Sequence, residues 1–380
     1  MVGMTSSHTN KLWRSKLVGA VREILLSPGI HKKFEMANGE AAIAGLKVLL
    51  NLHHDPHPWD DLWRAIAAEH PIRDAWWEDR NLVPLLDRVQ IPVYMGCDWQ
   101  IVPLHLPHTF TAYQRLSNCK HLRVAMMGEH GLAWPWESLH IEALAWFDQW
   151  LKGQDTGILE GSHFRYVIPG AEGWRTTGSW PLPEAEPHTY ALRSDGALGK
   201  DEGESGSRTY MNLGGGLNRP HPSETDPPSY LHWTTPPLPR DLDLVGPIEL
   251  QLDAACTAPD TAFIAVLQDV DEEENAVNVT AGYLRAGLRG VDEGASKPGA
   301  PVLPCLSFDA IPIGERVTYR VPLVPNSRRF RAGHKLRLCL TTDDQNKDTP
   351  AMLEFRHATV GTSSFNTVFS SSRLFLPVLP

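Results

Sequence analysis

The chain has 380 residues, of which 42% are hydrophobic and 21% are charged, and its formal net charge is -10 at pH 7. Its length favours two domains, and its composition is that of a soluble globular protein. The acidic balance excludes the basic surface that binds nucleic acid or an anionic membrane.

The five cysteines are dispersed, without the close spacing of a zinc site or a disulfide framework. This pattern indicates reduced thiols and a cytoplasmic location. No apolar run approaches the roughly 20 residues needed to span a bilayer, so no membrane association is expected. The sequence also implies no metal or organic cofactor.

Residues 1–88 are predicted to be a helical, cap-like segment, because Ile43, Leu46, Leu49 and Leu50 recur at helical intervals. His53, His54, Asp55 and His57 have the residue types of a metal site. They lie among prolines without helical i, i+4 pairing, however, which favours a solvated turn.

Residues 89–183 alternate between short apolar runs and helical patterns, which is typical of a parallel α/β sheet. Apolar faces on more than one side predict that the last helix is well buried, with Ser138 as its N-cap and Gly153 as its stop. The predicted elements are strands at Ile91–Met95 and Leu122–Met127 and helices at Thr109–Leu116 and Ser138–Lys152.

The remaining chain is predicted to be a connection followed by a β domain. Residues 184–245 are rich in Gly and Pro, which indicates an irregular link. Residues 246–380 alternate apolar and polar side chains between turn signals, including Pro325-Asn326-Ser327 and Ala332-Gly333-His334. This pattern predicts a jelly-roll β-sandwich.

Two ionisable residues follow the predicted parallel strands. Asp98 comes after the first strand and His130 after the second, where functional side chains of α/β sheets lie. Their order is that of the acid and base of an α/β-hydrolase triad. A turn carboxylate and a hydrogen-bonded loop histidine are the alternatives.

Four longer motifs stand out in the sequence: Ile91-Pro92-Val93-Tyr94-Met95-Gly96-Cys97-Asp98-Trp99, Gly128-Glu129-His130-Gly131, Trp146-Phe147-Asp148-Gln149-Trp150-Leu151-Lys152-Gly153 and Phe330-Arg331-Ala332-Gly333-His334-Lys335-Leu336. These motifs resemble the cocaine-esterase / X-prolyl dipeptidyl-peptidase type of α/β-hydrolase. The resemblance covers most of the chain and implies a partial α/β-hydrolase sheet followed by a jelly roll, with Asp98 as the acid and His130 as the base. Trp99, Trp134 and Trp136 are candidates for the substrate pocket, with simple packing as the alternative for Trp134 and Trp136.

The chain departs from the family pattern in two ways. The acid turn reads Gly-Cys-Asp-Trp, so Asp98 comes one position early, and the histidine turn is short. No Gly-x-Ser-x-Gly occurs; the nearest string, Gly203-Glu204-Ser205-Gly206-Ser207, lacks the final glycine. We therefore find no nucleophile and expect the segment that carries it to be missing, which would leave the 89–95 strand with an exposed apolar edge.

The sequence offers two other candidate sites. Cys97 suggests a Cys/His hydrolase, but the adjacent carboxylate disfavours the thiolate, and a packed thiol is the alternative. The acidic run Asp269–Glu274 suggests calcium, but its spacing is not that of an EF-hand, which favours a charged hairpin tip.

The sequence supports two hypotheses. The first is a serine hydrolase that acts on an ester or amide through an acyl-serine intermediate but lacks the nucleophile-bearing segment. The second is a non-catalytic protein whose jelly roll serves binding or oligomerisation. The expected partners are a small ester or amide substrate and, as an open alternative, further copies of the chain.

Overall fold

The computed structural model describes residues 62, 65–100, 102, 105–118, 120–125, 137–212, 226–342 and 363–380. Short helical turns at Ala65–Glu69, Ala75–Glu78 (α1) and Val83–Arg88 precede the first strand. Across these described ranges, no helix has both the length and the apolar character needed to cross a bilayer.

The first β unit is a four-stranded sheet in which strands follow one another in chain order. Its first three strands run parallel, and the fourth pairs antiparallel with the third. The predicted order of strand, helix, strand and helix is observed for the first four elements, whereas the last two strands were not predicted from the sequence. Its elements are β1 (Val93–Asp98), α2 (Leu106–Arg115), β2 (Lys120–Ala125), α3 (Glu137–Lys152), β3 (Phe164–Val167) and β4 (Trp174–Thr177).

One face of this sheet is apolar and packs against α2. Phe110 of α2 is 3% exposed and belongs to the same core cluster as Leu122, Val124 and Phe164. Its ring stacks on Trp180 at a centroid distance of 4.1 Å and an interplanar angle of 8°. Aromatic packing thus fixes α2 on the sheet.

Helix α3 covers the opposite, polar face of the sheet, and its orientation differs from the prediction. Trp146 is buried against Tyr94 and His121, whereas Leu144, Phe147 and Leu151 are 59%, 57% and 78% exposed. The prediction that α3 is buried on more than one face is wrong. The side of α3 that meets the sheet carries Glu142, which pairs with charged groups of the strands.

The second β unit is a nearly closed β-sandwich of antiparallel strands. The strand order is β6-β5-β15-β9-β12-β11-β10-β13-β8, with β14 pairing both β7 and β9, and a bridge between Ala197 and Thr234 joins the two ends. The predicted β-sandwich is therefore confirmed as an architecture, while its jelly-roll topology stays a prediction. The strands are β5 (Glu186–Leu192), β6 (Leu198–Gly199), β7 (Ser207–Asn212), β8 (Tyr230–Thr234), β9 (Leu242–Cys256), β10 (Ala262–Val270), β11 (Ala276–Arg285), β12 (Arg316–Phe330), β13 (Lys335–Thr341), β14 (Ser364–Phe369) and β15 (Arg373–Val378).

Two features of the sandwich differ from the sequence-based expectation. Four strands, β5–β8, lie within residues 184–245, where a connection was predicted, and they bury Tyr190, Tyr210 and Trp233. Pro325-Asn326-Ser327 lies inside β12, where the pairing with β9 shifts between Leu323 and Asn326, and is not a turn between strands. Short strands between Gly and Pro, and a bulge, resemble loops in sequence.

Candidate active site

Asp98 lies at the carboxyl end of β1, where the sequence predicted the catalytic acid. Its side chain is 6% exposed, and Oδ1 accepts a hydrogen bond from the backbone N–H of Gln100 at 2.7 Å. Asp98 is in register with Ala125, the last residue of β2. Both strands therefore end side by side at the edge of the sheet where α/β proteins place functional groups.

His130, Trp134 and Trp136 lie outside the described residues. His130 is five residues beyond Ala125, and a chain of that length extends at most about 17 Å. The distance along the chain from Ala125 therefore allows His130 to reach the Asp98 carboxylate. The pairing of Asp98 with His130 stays a prediction.

Trp99 lies in the interior. Its side chain is 2% exposed, its indole Nε1–H donates to the backbone oxygen of Val167 at 2.9 Å, and it packs in the core of the first β unit. Asn326 of β12, itself 2% exposed, donates from Nδ2 to the Trp99 backbone oxygen at 3.1 Å. Trp99 therefore connects the end of β1 to the sandwich. Because its side chain is buried in the core, we do not include it in the proposed substrate pocket.

Cys97 has the electrostatics of a packed thiol. Burial is the main cause that raises the pKa of the Cys97 thiol, and the neighbouring Asp98 carboxylate acts in the same direction. A raised pKa reduces the thiolate fraction that a nucleophile needs. These observations favour the packing interpretation of Cys97.

A polar network between the sheet and α3 was not predicted from the sequence. Arg123 is 5% exposed, and its Nη1 lies 2.9 Å from Glu142 Oε1, although the N–H is not aimed well enough for a hydrogen bond. The Tyr94 hydroxyl also donates to Glu142. Burial and this carboxylate both raise the pKa of Tyr94. The signal available in the sequence was the alternation of polar residues along β1 and β2.

Two histidines extend the same network. His121 Nε2 lies 2.9 Å from His163 Nδ1, so one ring donates and the other accepts. Burial lowers the pKa of His121 to about 4, and His163 adds to the effect. His121 is therefore neutral near pH 7 and serves as a hydrogen-bonding core residue.

The remaining metal-site candidates lie in two parts of the chain. His53, His54, Asp55 and His57 lie outside the described residues. The acidic run 269–274 ends β10 and enters the β10–β11 hairpin, as favoured from the sequence. Within the ranges that the structure describes, no group of three or more ligating side chains is placed to hold a metal ion.

Asp269, the first acidic residue of the run, forms ion pairs within the sandwich. It is 2% exposed, accepts from Nε and Nη2 of Arg328 at 2.9 and 2.7 Å, and lies 2.8 Å from His334 Nδ1. This cluster links β10, β12 and the turn before β13, and it acts in the packing of the sandwich.

Comparison with known proteins places this geometry in context. Residues 152–357, more than half of the chain, match the family described as the X-Pro dipeptidyl-peptidase C-terminal non-catalytic domain. The chain is 29% identical over 227 residues to a Mycobacterium bovis protein named as a serine esterase, a match that covers 53% of this chain and 36% of that protein. It is 22% identical over 332 residues to the cocaine esterase of a Rhodococcus species, covering 76% of this chain and 55% of that enzyme.

A solved structure shows the same fold. The crystal structure of a CocE/NonD family hydrolase from Staphylococcus aureus superposes with a TM-score of 0.68 at 19% identity, covering 82% of this chain and 58% of that chain. The present chain thus spans between about one third and three fifths of the length of these relatives.

Proposed function

Because the chain belongs to the family of the X-Pro dipeptidyl-peptidase C-terminal non-catalytic domain and resembles CocE/NonD hydrolases, we propose that it forms the acid–base and C-terminal part of a serine hydrolase. The observation that carries the proposal is the register of Asp98 with Ala125. It supports an acid at the end of β1 beside the start of the loop that bears His130.

In this proposal each residue has one role. His130 removes the proton of an attacking serine hydroxyl and returns it to the leaving group. Asp98 orients the imidazole and stabilises its protonated form. The nucleophile and the oxyanion-hole donors are expected from a strand–turn–helix segment outside residues 1–380, because no Gly-x-Ser-x-Gly elbow occurs within them. The names of the relatives support an ester or amide as the substrate class.

A second candidate function is non-catalytic. The family match covers the sandwich and is described as a non-catalytic domain. This favours a binding or oligomerisation role for residues 184–380. The two candidates differ in whether Asp98 and His130 interact.

The purified chain tests the first candidate through hydrolysis of a short-chain p-nitrophenyl ester and labelling by a fluorophosphonate. We expect neither turnover nor a labelled serine, because a base without a nucleophile forms no acyl intermediate. Turnover that is lost in His130→Ala, together with a labelled serine, would instead reveal a nucleophile within residues 1–380.

Nuclear magnetic resonance of the ring nitrogens tests the acid–base pair directly. We expect His130 to carry its proton on Nδ1 in the wild type, because that N–H donates to Asp98, and to lose this preference in Asp98→Asn. Asp87→Asn, which alters a surface carboxylate paired with Arg115, is the matched control. An identical tautomer in the wild type and Asp98→Asn supports the non-catalytic candidate.

A further inference from the structure

The hydrogen bond that Asn326 donates to Trp99 ends on the peptide group that also holds the proposed acid. The carbonyl of Trp99 and the N–H of Gln100 belong to one planar peptide group. The carbonyl oxygen accepts from Asn326 Nδ2 at 3.1 Å. The N–H donates to Asp98 Oδ1 at 2.7 Å. Asn326 and the Asp98 carboxylate are therefore connected through a single peptide group.

The rest of Trp99 is also held in place, so this peptide group has little freedom to turn. The Trp99 N–H donates to the backbone oxygen of Ala125, at the end of β2, at 2.9 Å. The buried indole donates to the backbone oxygen of Val167 of β3, also at 2.9 Å. Asn326 of β12 binds the carbonyl. Because the peptide group is planar, fixing the carbonyl also fixes the direction of the N–H that faces Asp98.

A bulge in β12 places the Asn326 side chain at this point. Between Leu323 and Asn326 the pairing with β9 shifts, so that β12 has one residue more than its partner there. Such a bulge bends the strand and redirects side chains, and bulges are frequent next to active sites. The Thr280 hydroxyl of β11 donates to the Val324 backbone oxygen at 2.6 Å and holds the bulge from the neighbouring strand. The direction of Asn326 is thus set by the sandwich.

The amide of Asn326 is oriented by a second hydrogen bond. Its Oδ1 accepts from the backbone N–H of Ser327 at 2.7 Å, which directs Nδ2 towards Trp99. The side chain is 2% exposed, so water competes little for either group. Consecutive hydrogen bonds polarise one another, so the bond to the carbonyl also strengthens the Gln100 N–H as a donor. Asn326 therefore determines both the direction and the strength of the donor that Asp98 receives.

We propose that Asn326 is a positioning residue for the catalytic acid and acts on the Asp98 carboxylate through the peptide group that follows Trp99. This role rests on the proposed function, in which Asp98 orients His130. Asn326 lies within residues 152–357, the range that matches a domain described as non-catalytic. The sandwich thereby contributes to catalysis without touching the substrate, because it holds the carboxylate that selects the tautomer of the base.

Amide hydrogen exchange and nuclear magnetic resonance of the histidine rings test this role on the full chain. In Asn326→Ala we expect the Gln100 amide to exchange roughly 10-fold faster than in the wild type, a factor that the loss of one hydrogen bond supplies. The preference of His130 for the tautomer protonated on Nδ1 should fall towards that of Asp98→Asn. A residue that only stabilised the sandwich would not change this tautomer.

Asn366→Ala is the matched control. Asn366 is also fully buried in the sandwich, and its Nδ2 donates to the hydroxyls of Thr342 and Ser364. Its replacement removes a buried amide of the same kind without altering a hydrogen bond of the acid turn. It should therefore leave both the Gln100 exchange rate and the His130 tautomer as in the wild type.

The outcomes separate this role from the proposed function. If Asn326→Ala leaves both readouts unchanged while Asp98→Asn alters the tautomer, the positioning role is overturned and the proposed function stands. A tautomer that does not respond to Asp98→Asn contradicts the proposed function, and with it the positioning of a catalytic acid. The wild type alone decides the case in which Asn326→Ala does not fold. Because Gln100 is exposed, slow exchange of its amide supports the bond to Asp98, and exchange at the rate of a free amide overturns the proposal.

Discussion

His121 lies in β2, beneath α3, where a charged side chain would be poorly solvated. Its side chain is 7% exposed, and its ring contacts Trp146 and hydrogen bonds with His163. A histidine in this position is favoured in its neutral form. The pKa of His121 is therefore lowered from 6.5 to about 4.

This lowered pKa predicts a loss of stability in acid. The unfolded chain binds the proton of His121 at a higher pH than the folded chain does, so stability is complete above about pH 6.5 and falls as the pH drops towards 4. The shift corresponds to about 3 kcal/mol at its full extent. Urea denaturation from pH 7 to pH 4 should show this loss in the wild type and a smaller one in His121→Gln.

The matched control for His121 is His140→Gln. His140 is exposed at the surface of α3, so its replacement should leave the pH dependence as in the wild type. If His121→Gln and the wild type lose the same free energy of unfolding between pH 7 and pH 4, His121 is not the group responsible.

The position of Asp98, the acid of the proposed site, was predictable from the sequence, whereas its surroundings were not. The apolar run before Asp98 predicted a strand end, and β1 ends at that residue. The polar partners under α3 were not predicted, because Glu142 and Arg123 are far apart in sequence and meet only when the helix lies on the sheet. His130 lies outside the described residues, so its role rests on the sequence and the register.

At the level of elements, α2 is held by aromatic stacking. Phe110 is 3% exposed and stacks on Trp180, which is 8% exposed, at 4.1 Å. Replacing a buried aromatic side chain by alanine removes both its transfer free energy and its packing, and typically costs about 3–5 kcal/mol. We expect this loss of unfolding free energy in Phe110→Ala.

Chemical denaturation monitored by circular dichroism measures the effect of Phe110→Ala. Phe365→Ala is the control, because Phe365 is 47% exposed on β14 and should cost far less. Equal losses in the two variants would mean that the stack on Trp180 contributes no more than a surface ring does.

The helices and strands also show where pattern reasoning fails. Two strands of the parallel sheet, β1 and β2, were predicted, because strands buried in such a sheet are read as short apolar runs, whereas β3 was not predicted. Helix α3 begins one residue before Ser138, the predicted N-cap, and ends at Lys152 as predicted. Only one of its two apolar faces is buried, because periodicity identifies an apolar stripe without identifying its partner. The stripe at Leu144 and Leu151 points outward, while Trp146 points to the sheet.

At the scale of the whole molecule, the two β units are joined by polar contacts that are buried or half-buried. Asp243 of β9 accepts from Nε of Arg329 at 2.6 Å and from Arg175 of β4 at 3.1 Å. Asn326 donates to the Trp99 backbone, and the backbone N–H of Arg329 donates to Pro169 at 2.8 Å. The sandwich therefore supports the turn that carries Asp98.

Calorimetry tests this coupling. We expect a single unfolding transition for the wild type, because the units share contacts that both must lose together. Asp243→Asn removes the negative charge that accepts from two half-buried arginines, so it should cost about 2 kcal/mol and separate the transition into two. Asp195→Asn is the control, because Asp195 is 55% exposed and pairs with Arg193 at the surface. It should change the unfolding transition little.

Two separate transitions in the wild type itself would show that the units unfold independently. A single transition in Asp243→Asn with an unchanged midpoint would show that Asp243 contributes nothing to the coupling. The same calorimetric scans distinguish both of these results from the predicted result.

Strand β9 contributes side chains to two interiors at once. Leu244 belongs to the sandwich core and Val245, its neighbour, to the core of the first β unit. Because successive side chains of a strand point to opposite sides, an insertion of one residue before Leu244 would exchange the two environments. Both cores therefore constrain the number of residues in β9. Related chains should tolerate substitutions in this strand far more readily than insertions or deletions.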